Sequence, residues 1–296
     1  MKIYDSGHEV QASSMRIGIV GLGLMGGSLA LDLRPLGHEI LGVSRHQRTC
    51  EQAIALGMVD AASTDLALLT AAEVVFLCTP LAALEPTVGQ LVPYLHPETI
   101  LTDVGSVKAP IVEAISPLWP NFVGGHPMAG TAESGLEAAQ PHLFVGKPYV
   151  LTAIATTPEI AITTIATLVQ QLQAHLYYCL PTDHDQAVAW ISHLPVMVSA
   201  SLIAACCNNA DTKTLKLAQA LASSGFRDTS RVGGGSPELG VMMARFNRHQ
   251  LLHTLCAYRN QLDQCIAWIE QEDWGSLESQ LHQTQEARPQ FHSALS

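Results

Sequence analysis

Charge is scarce in this 296-residue sequence, where Asp, Glu, Lys and Arg make up only 14% of the residues. Basic residues are the scarcer kind: 15 Lys and Arg stand against 26 Asp and Glu, a formal net charge of −11. No basic cluster interrupts that balance, so a nucleic acid or an anionic membrane finds no counter-charge for its phosphates, and neither is expected as a partner. An anionic small molecule needs Arg or Lys placed locally. The seven cysteines (Cys50, Cys78, Cys179, Cys206, Cys207, Cys256 and Cys265) are odd in number and scattered, without a C-x-x-C pair. That pattern argues against a disulfide framework or a structural zinc, and fits reduced thiols in a cytoplasmic protein. Residues 1–14 are polar and lack the apolar core of a secretory signal; with Met15 directly before an apolar strand, they read as a disordered extension or a start-site artefact.

What is abundant is apolar: 48% of the residues, which excludes wholesale disorder and, at this length, implies about two domains. One apolar run, Ala187 to Cys207, carries no charged residue over a length that can cross a bilayer. It also contains Ser192, His193, Pro195, Ser199 and Ser201, and its flanks lack the basic bias of a spanning helix. A helix buried on most sides, for instance at a subunit interface, is the expectation.

From residue 16 to 180, short β-rich runs alternate with helical stretches. Strands are predicted at 16–20, 39–44, 73–79, 99–103, 122–126, 149–152 and 176–179, with helices after most of them. Such a rhythm gives a doubly wound, mostly parallel sheet covered by helices on both faces, a Rossmann-type α/β domain over 15–180. After Pro181 nearly everything is helical, broken by a loop over 223–237, so 181–296 is expected to be an all-α domain.

Gly21-Leu-Gly23-Leu-Met-Gly26 directly follows the first strand and opens a helix. In that context G-x-G-x-x-G is a dinucleotide fingerprint: Gly21 turns the chain, Gly23 admits the pyrophosphate and Gly26 lets helix and strand pack closely. The phosphates then meet amide groups at the helix N-terminus, beside Leu24 and Met25. The second strand ends without the acid that usually binds the ribose 2′-hydroxyl in NAD sites; Ser44, Arg45, Arg48 and Thr49 stand there instead. Two guanidinium groups and two hydroxyls suit a 2′-phosphate, so NADP is expected over NAD, the rival being a solvated arginine pair on a protein that uses either. Cys78, Thr79 and Pro80 end the next strand on the cofactor side, and Ser106 follows the strand ending at Asp103, which reads as a helix cap.

Gly124-Gly-His126-Pro-Met128-Ala-Gly-Thr131 ends a further strand. A histidine there can be structural, but the surrounding glycines clear space for a ligand, and an imidazole can take a hydroxyl proton while hydride leaves. This segment resembles the signature of the prephenate/arogenate dehydrogenases of tyrosine biosynthesis. So do His184-Asp-Gln-Ala-Val-Ala-Trp-Ile-Ser-His193-Leu-Pro195 and Gly225-Phe-Arg-Asp-Thr-Ser-Arg231, and the likeness runs from about Met15 to about position 285. It is greatest to the short, NADP-dependent arogenate dehydrogenases of cyanobacteria.

The resemblance implies a substrate, arogenate or prephenate, whose cyclohexadienol ring loses hydride from C4 and then CO₂. It implies His126 as the base, Ser106 as its catalytic helper, and Met128 and Thr131 beside the substrate. It further implies His193 in the substrate pocket, Arg231 on a substrate carboxylate, and a homodimer built through the helical domain. With nothing of domain size before residue 15 or after 288, neither a fused chorismate mutase nor a separate tyrosine-sensing domain is expected. His193 could instead be a satisfied interior histidine at a kink, and Arg227 could pair with Asp228. His184 lies at no ligand spacing from His193, no metal site is indicated, and the remaining histidines read as surface residues. A β-hydroxyacid dehydrogenase or imine reductase would rely on a lysine in the helical half, which offers only Lys213 and Lys216; a non-catalytic NADP sensor would not need His126, Ser106 and Arg231 together.

Overall fold

The structure, a computed structural model, describes residues 14–131, 133–209 and 211–291. The opening segment lies outside these residues apart from Ser14, whose hydroxyl donates to the Gly37 carbonyl at 2.6 Å. The chain divides into two compact units. One holds the residues up to Val188 together with Gly235–Phe246, the other Ala189–Gly234 and the residues from Asn247 onward.

The first unit is built on alternating apolar strands. In order come β1 (Arg16–Val20), α1 (Leu24–Leu33), β2 (Glu39–Val43), α2 (Gln47–Ala55), β3 (Ala61–Ser63), β4 (Val74–Leu77), α3 (Leu81–Leu91), β5 (Ile100–Asp103), α4 (Ala109–Ile115) and β6 (Phe122–Pro127). Then follow β7 (Pro148–Thr152), α5 (Glu159–Gln171), β8 (His175–Cys179) and α6 (Pro181–Val188). The eight strands form one sheet in the order β3-β2-β1-β4-β5-β6-β7-β8. All neighbours are parallel except β6 and β7. That exception has a local cause. The 128–147 connection carries a single 3₁₀ turn at Leu136–Ala138 and no crossover helix among its described residues, and parallel pairing needs such a crossover.

Period-two alternation sends Ile17, Ile19, Val74 and Phe76 into one core with Leu29 and Leu33 of α1. It sends Val20, Val75, Leu77 and Leu101 into the other with Leu84 and Val88 of α3. Both faces are thus covered, as the continuous apolar runs required. The edge strand β3 has no counterpart in the sequence reading, because Ala-Ala-Ser shows neither alternation nor β-branched residues. The strand order reverses between β1 and β4, and in sheets of this kind ligands bind beyond the carboxyl ends of the strands at that crevice.

The second unit opens with a π-helical turn, Ala189–His193, followed by α7 (Leu194–Asn209), α8 (Thr212–Leu221) and α9 (Ser224–Ser230). Then α10 (Pro237–Phe246) belongs to the first unit, where Met242 and Phe246 pack on the second core cluster, and α11 (Arg248–Glu270) and α12 (Trp274–Ala287) complete the helical unit. The stretch read from sequence as a loop over 223–237 therefore contains two helical pieces, since its glycine run begins only at Gly233. Asp211 and Asp273 cap α8 and α12 by accepting backbone N–H groups. Pro181–Asn208 is one helical run of 28 residues, long and apolar enough by length and composition to cross a membrane. It carries His184, Asp185 and His193 buried within their own units, each with a polar partner.

Candidate active site

The cofactor crevice follows from backbone geometry at the end of β1. Gly21 has φ +101°, its N–H donates to Val43 O at 2.8 Å, and a Cβ there would lie 2.7 Å from Cys78 O. A Cβ on Gly26 would collide with the Gly21 carbonyl, so only glycine lets α1 start this close to β1. On Gly23 an added Cβ meets nothing within 4 Å, leaving open space where the fingerprint expects the pyrophosphate. The helix begins there without a side-chain cap, so its first amides are available to an anion.

A cleft of about 880 Å³ extends from this turn. Gly21, Gly23, Leu24 and Met25 line one part, Ser44, Arg45, Arg48 and Thr49 a second, and Cys78, Thr79 and Pro80 a third. All the expected cofactor residues except Gly26, which lies under the turn, therefore border one space. The α2 helix also starts without a side-chain cap, after His46, beside the two arginines. Thr79 Oγ1 and Ser106 Oγ are buried with no partner among the described residues. Open glycine, uncapped helix starts, a basic corner and an orphaned hydroxyl fit a pyridine dinucleotide. Two carboxylates, Glu133 and Glu137, reach the same cleft, the latter within 3.5 Å of Gln52 Nε2.

His126 is 8% exposed and sits in β6 opposite Val150. Its Nδ1 lies 2.8 Å from His184 Nε2, and His184 Nδ1 lies 2.8 Å from Asp185 Oδ1. Asp185 accepts the backbone N–H groups of Lys108 (2.7 Å) and Ala109 (2.8 Å). The carboxylate that caps α4 is thus Asp185, from a distant element. Asp103, expected to cap that helix, instead accepts from Gly105 N and Gly125 N and pairs with the buried Lys108 ammonium. The Gly105 turn aims its carboxylate at Lys108 and not at the helix start. Lys108 Nζ also donates to Gly125 O at 2.7 Å, so one buried cation ties the segment bearing Ser106 to the strand bearing His126. Burial pushes the Lys108 ammonium below its ordinary range, against the upward pull of Asp103. Burial likewise raises the Cys78 thiol and the Tyr149 phenol, which stay protonated.

Met128 is half-buried and Thr131 exposed, both just beyond β6. In the second unit His193 is fully buried at the end of the π turn, its Nδ1 3.2 Å from Asn247 Nδ2. Arg231 opens a 3₁₀ turn, Arg231–Gly234, and is exposed. Ser199 of α7 holds that turn from both sides, donating to Thr229 O and accepting from Gly233 N, each at 2.9 Å. Arg227 pairs with Asp228 on the surface.

Two residues beside His126 escaped the sequence reading. The sequence reading gives His184 no role beyond its place in a family-like segment, yet it is 2% exposed, and Asp185 is 3% exposed. His38, which reads as a surface histidine, is 3% exposed and bonded to Gln171 and to the Met15 amide. The available signal was the adjacent His-Asp pair at the start of an apolar helix, a costly sequence to bury unless both groups are paired. No three metal-ligating side chains gather among the described residues.

Comparison with known proteins agrees with this geometry. The nucleotide-binding domain of prephenate dehydrogenase matches residues 29–178, and its dimerization domain matches 180–283. The chain is similar to the crystal structure of Synechocystis arogenate dehydrogenase, with 53% identity, a TM-score of 0.85 and coverage of 94% of this chain and 100% of that one. Prephenate dehydrogenase from A. aeolicus, solved with hydroxyphenyl propionate and NAD⁺, gives a TM-score of 0.89 at 26% identity, covering 95% and 99% of the two chains. Prephenate dehydrogenase of Bacillus subtilis is 32% identical over 269 residues, 88% of this chain and 71% of that protein. With both domains matched and the likeness running through most of the chain, this protein belongs to the prephenate dehydrogenase family.

Proposed function

We propose that this member of the family is an NADP-dependent arogenate dehydrogenase, converting L-arogenate to L-tyrosine and CO₂. The observation that carries the substrate is the 53% identity to Synechocystis arogenate dehydrogenase over nearly the whole chain. Prephenate, giving 4-hydroxyphenylpyruvate, is the second reading, favoured by the 32% likeness to the Bacillus subtilis enzyme. The preference for NADP rests on the basic corner of Ser44, Arg45, Arg48 and Thr49 at the uncapped start of α2.

In this reading Gly21, Gly23 and the first amides of α1 hold the pyrophosphate, and Arg45 and Arg48 hold the 2′-phosphate. The bound nicotinamide supplies a hydride acceptor for C4 of the ring. His126 takes the C4 hydroxyl proton, with Ser106 helping to hold that hydroxyl. Arg231 binds a substrate carboxylate by a bidentate fork, and His193, Met128 and Thr131 border the substrate. Loss of CO₂ aromatises the ring and supplies the driving force, so the side chains position the substrate and accept one proton. The exposed apolar residues of the helical unit, among them Leu221, Ile266 and Leu281, favour a homodimer. The seven unpaired thiols suit the cytoplasm.

The test is kcat/KM for arogenate and prephenate, each with NADP⁺ and NAD⁺. The arogenate–NADP⁺ pair should exceed the other three; equal or better turnover of prephenate with NAD⁺ would overturn both choices.

A further inference from the structure

Buried histidine pairs are expensive, and the one beside His126 is wired in a definite direction. Asp185 accepts two backbone N–H groups, from Lys108 and Ala109, which fixes it as an ionised acceptor. Facing that carboxylate, His184 Nδ1 must be the nitrogen that bears hydrogen. In neutral His184, Nε2 is then an acceptor, and it lies 2.8 Å from His126 Nδ1. The bond therefore runs from His126 Nδ1–H to His184 Nε2, and the lone pair of neutral His126 falls on Nε2. The rings meet edge-on, with centroids 5.0 Å apart and planes at 72°, an arrangement that holds both in place.

We infer that His184 and Asp185 are positioning residues that lock His126 into its Nδ1–H tautomer, so that Nε2 receives the substrate proton. This rests on the reading of His126 as the base. In the step itself the C4 hydroxyl O–H bond breaks and its proton bonds to His126 Nε2, while the hydride goes to the nicotinamide. Nδ1 keeps its hydrogen and the imidazolium charge is stabilised through His184 toward the Asp185 carboxylate; no proton passes beyond His126. The lock is anchored outside its own helix, because the Asp185 oxygens are fixed by the start of α4. That helix start belongs to the segment clamped by Lys108 and Asp103 to Gly125, the neighbour of His126. A His–Asp pair serving only to fill the core would have no reason to aim a ring nitrogen at the proposed base.

Two measurements decide it. In the full-length enzyme with saturating arogenate and NADP⁺, His184→Leu removes the acceptor. It should lower kcat about 10- to 100-fold while substrate KM and NADP⁺ Kd stay within about twofold. His184→Gln, whose side-chain carbonyl can accept from Nδ1–H, should recover kcat to within about fivefold of wild type. Unchanged kcat in His184→Leu, no recovery in His184→Gln, or losses of kcat and ligand binding in parallel would each overturn the lock. The second measurement needs no folded variant of His184: ¹⁵N ring shifts of the wild-type protein at neutral pH should show His126 as the Nδ1–H form. Finding Nε2–H there would overturn the proposal even if the leucine variant fails to fold. Wild-type kcat in His126→Asn would instead remove the base itself, a different failure from loss of its tautomer control.

Discussion

His126 occupies a strand position where its neighbours leave it few options: β6 fixes its backbone, and His184 fixes one ring nitrogen. If it is the base, His126→Asn should lower kcat roughly 10²–10⁴-fold with NADP⁺ affinity unchanged, measured by steady-state kinetics and fluorescence titration. Arg45 is the residue-scale test of cofactor choice. It lines the cleft beside Ser44, its Nε 3.1 Å from His46 Nε2. Arg45→Ala should weaken NADP⁺ binding by about 1.5–3 kcal/mol and NAD⁺ far less, and equal losses would assign the guanidinium to another task. Single residues were legible in the sequence wherever a motif fixed their place: the three fingerprint glycines, the basic end of β2, and the histidine of the Gly-Gly-His run. His184, Asp185 and Lys108 were not, because their meaning lies in contacts spanning 58, 77 and 17 positions, and no local pattern encodes the partner.

Elements translate these residues into geometry. The close start of α1 against β1 depends on Gly26, where a Cβ would strike the Gly21 carbonyl and approach Ile19 Cγ2 to 2.9 Å. Gly26→Ala should destabilise the protein by about 1–3 kcal/mol or more in urea titrations, and should cost cofactor affinity as well, since the same turn shapes the cleft. In the helical unit, Ser199 pins the turn that begins at Arg231. Arg231→Ala should mainly raise the KM for the cyclohexadienol, equivalent to about 1.5–3 kcal/mol, with kcat held. An unchanged KM would move the carboxylate site elsewhere. Strands and long helices could be read from sequence because alternation and composition report burial directly. The antiparallel direction of β7, the short β3 and the helix α9 could not. Strand direction is set by the connection that precedes it, and three small residues or a seven-residue helix carry too little pattern.

At the scale of the whole molecule, the helical unit leaves much of its apolar surface uncovered: Leu221 is 70% exposed, Leu281 60% and Ile269 52%. A homodimer would bury such side chains, and sedimentation should then find no stable monomer even at nanomolar concentration; a monomer with full activity would argue against it. The division into units also has a consequence for biosynthesis. Because α10 completes the nucleotide-binding unit although it follows α9 of the helical one, the chain leaves that unit at Val188 and returns at Gly235. Emerging vectorially from the ribosome, the polypeptide cannot finish covering the second of its two core clusters until residue 246 has cleared the exit tunnel. The last piece of the nucleotide-binding unit is therefore added only after the intervening helices Ala189–Gly234 have been made.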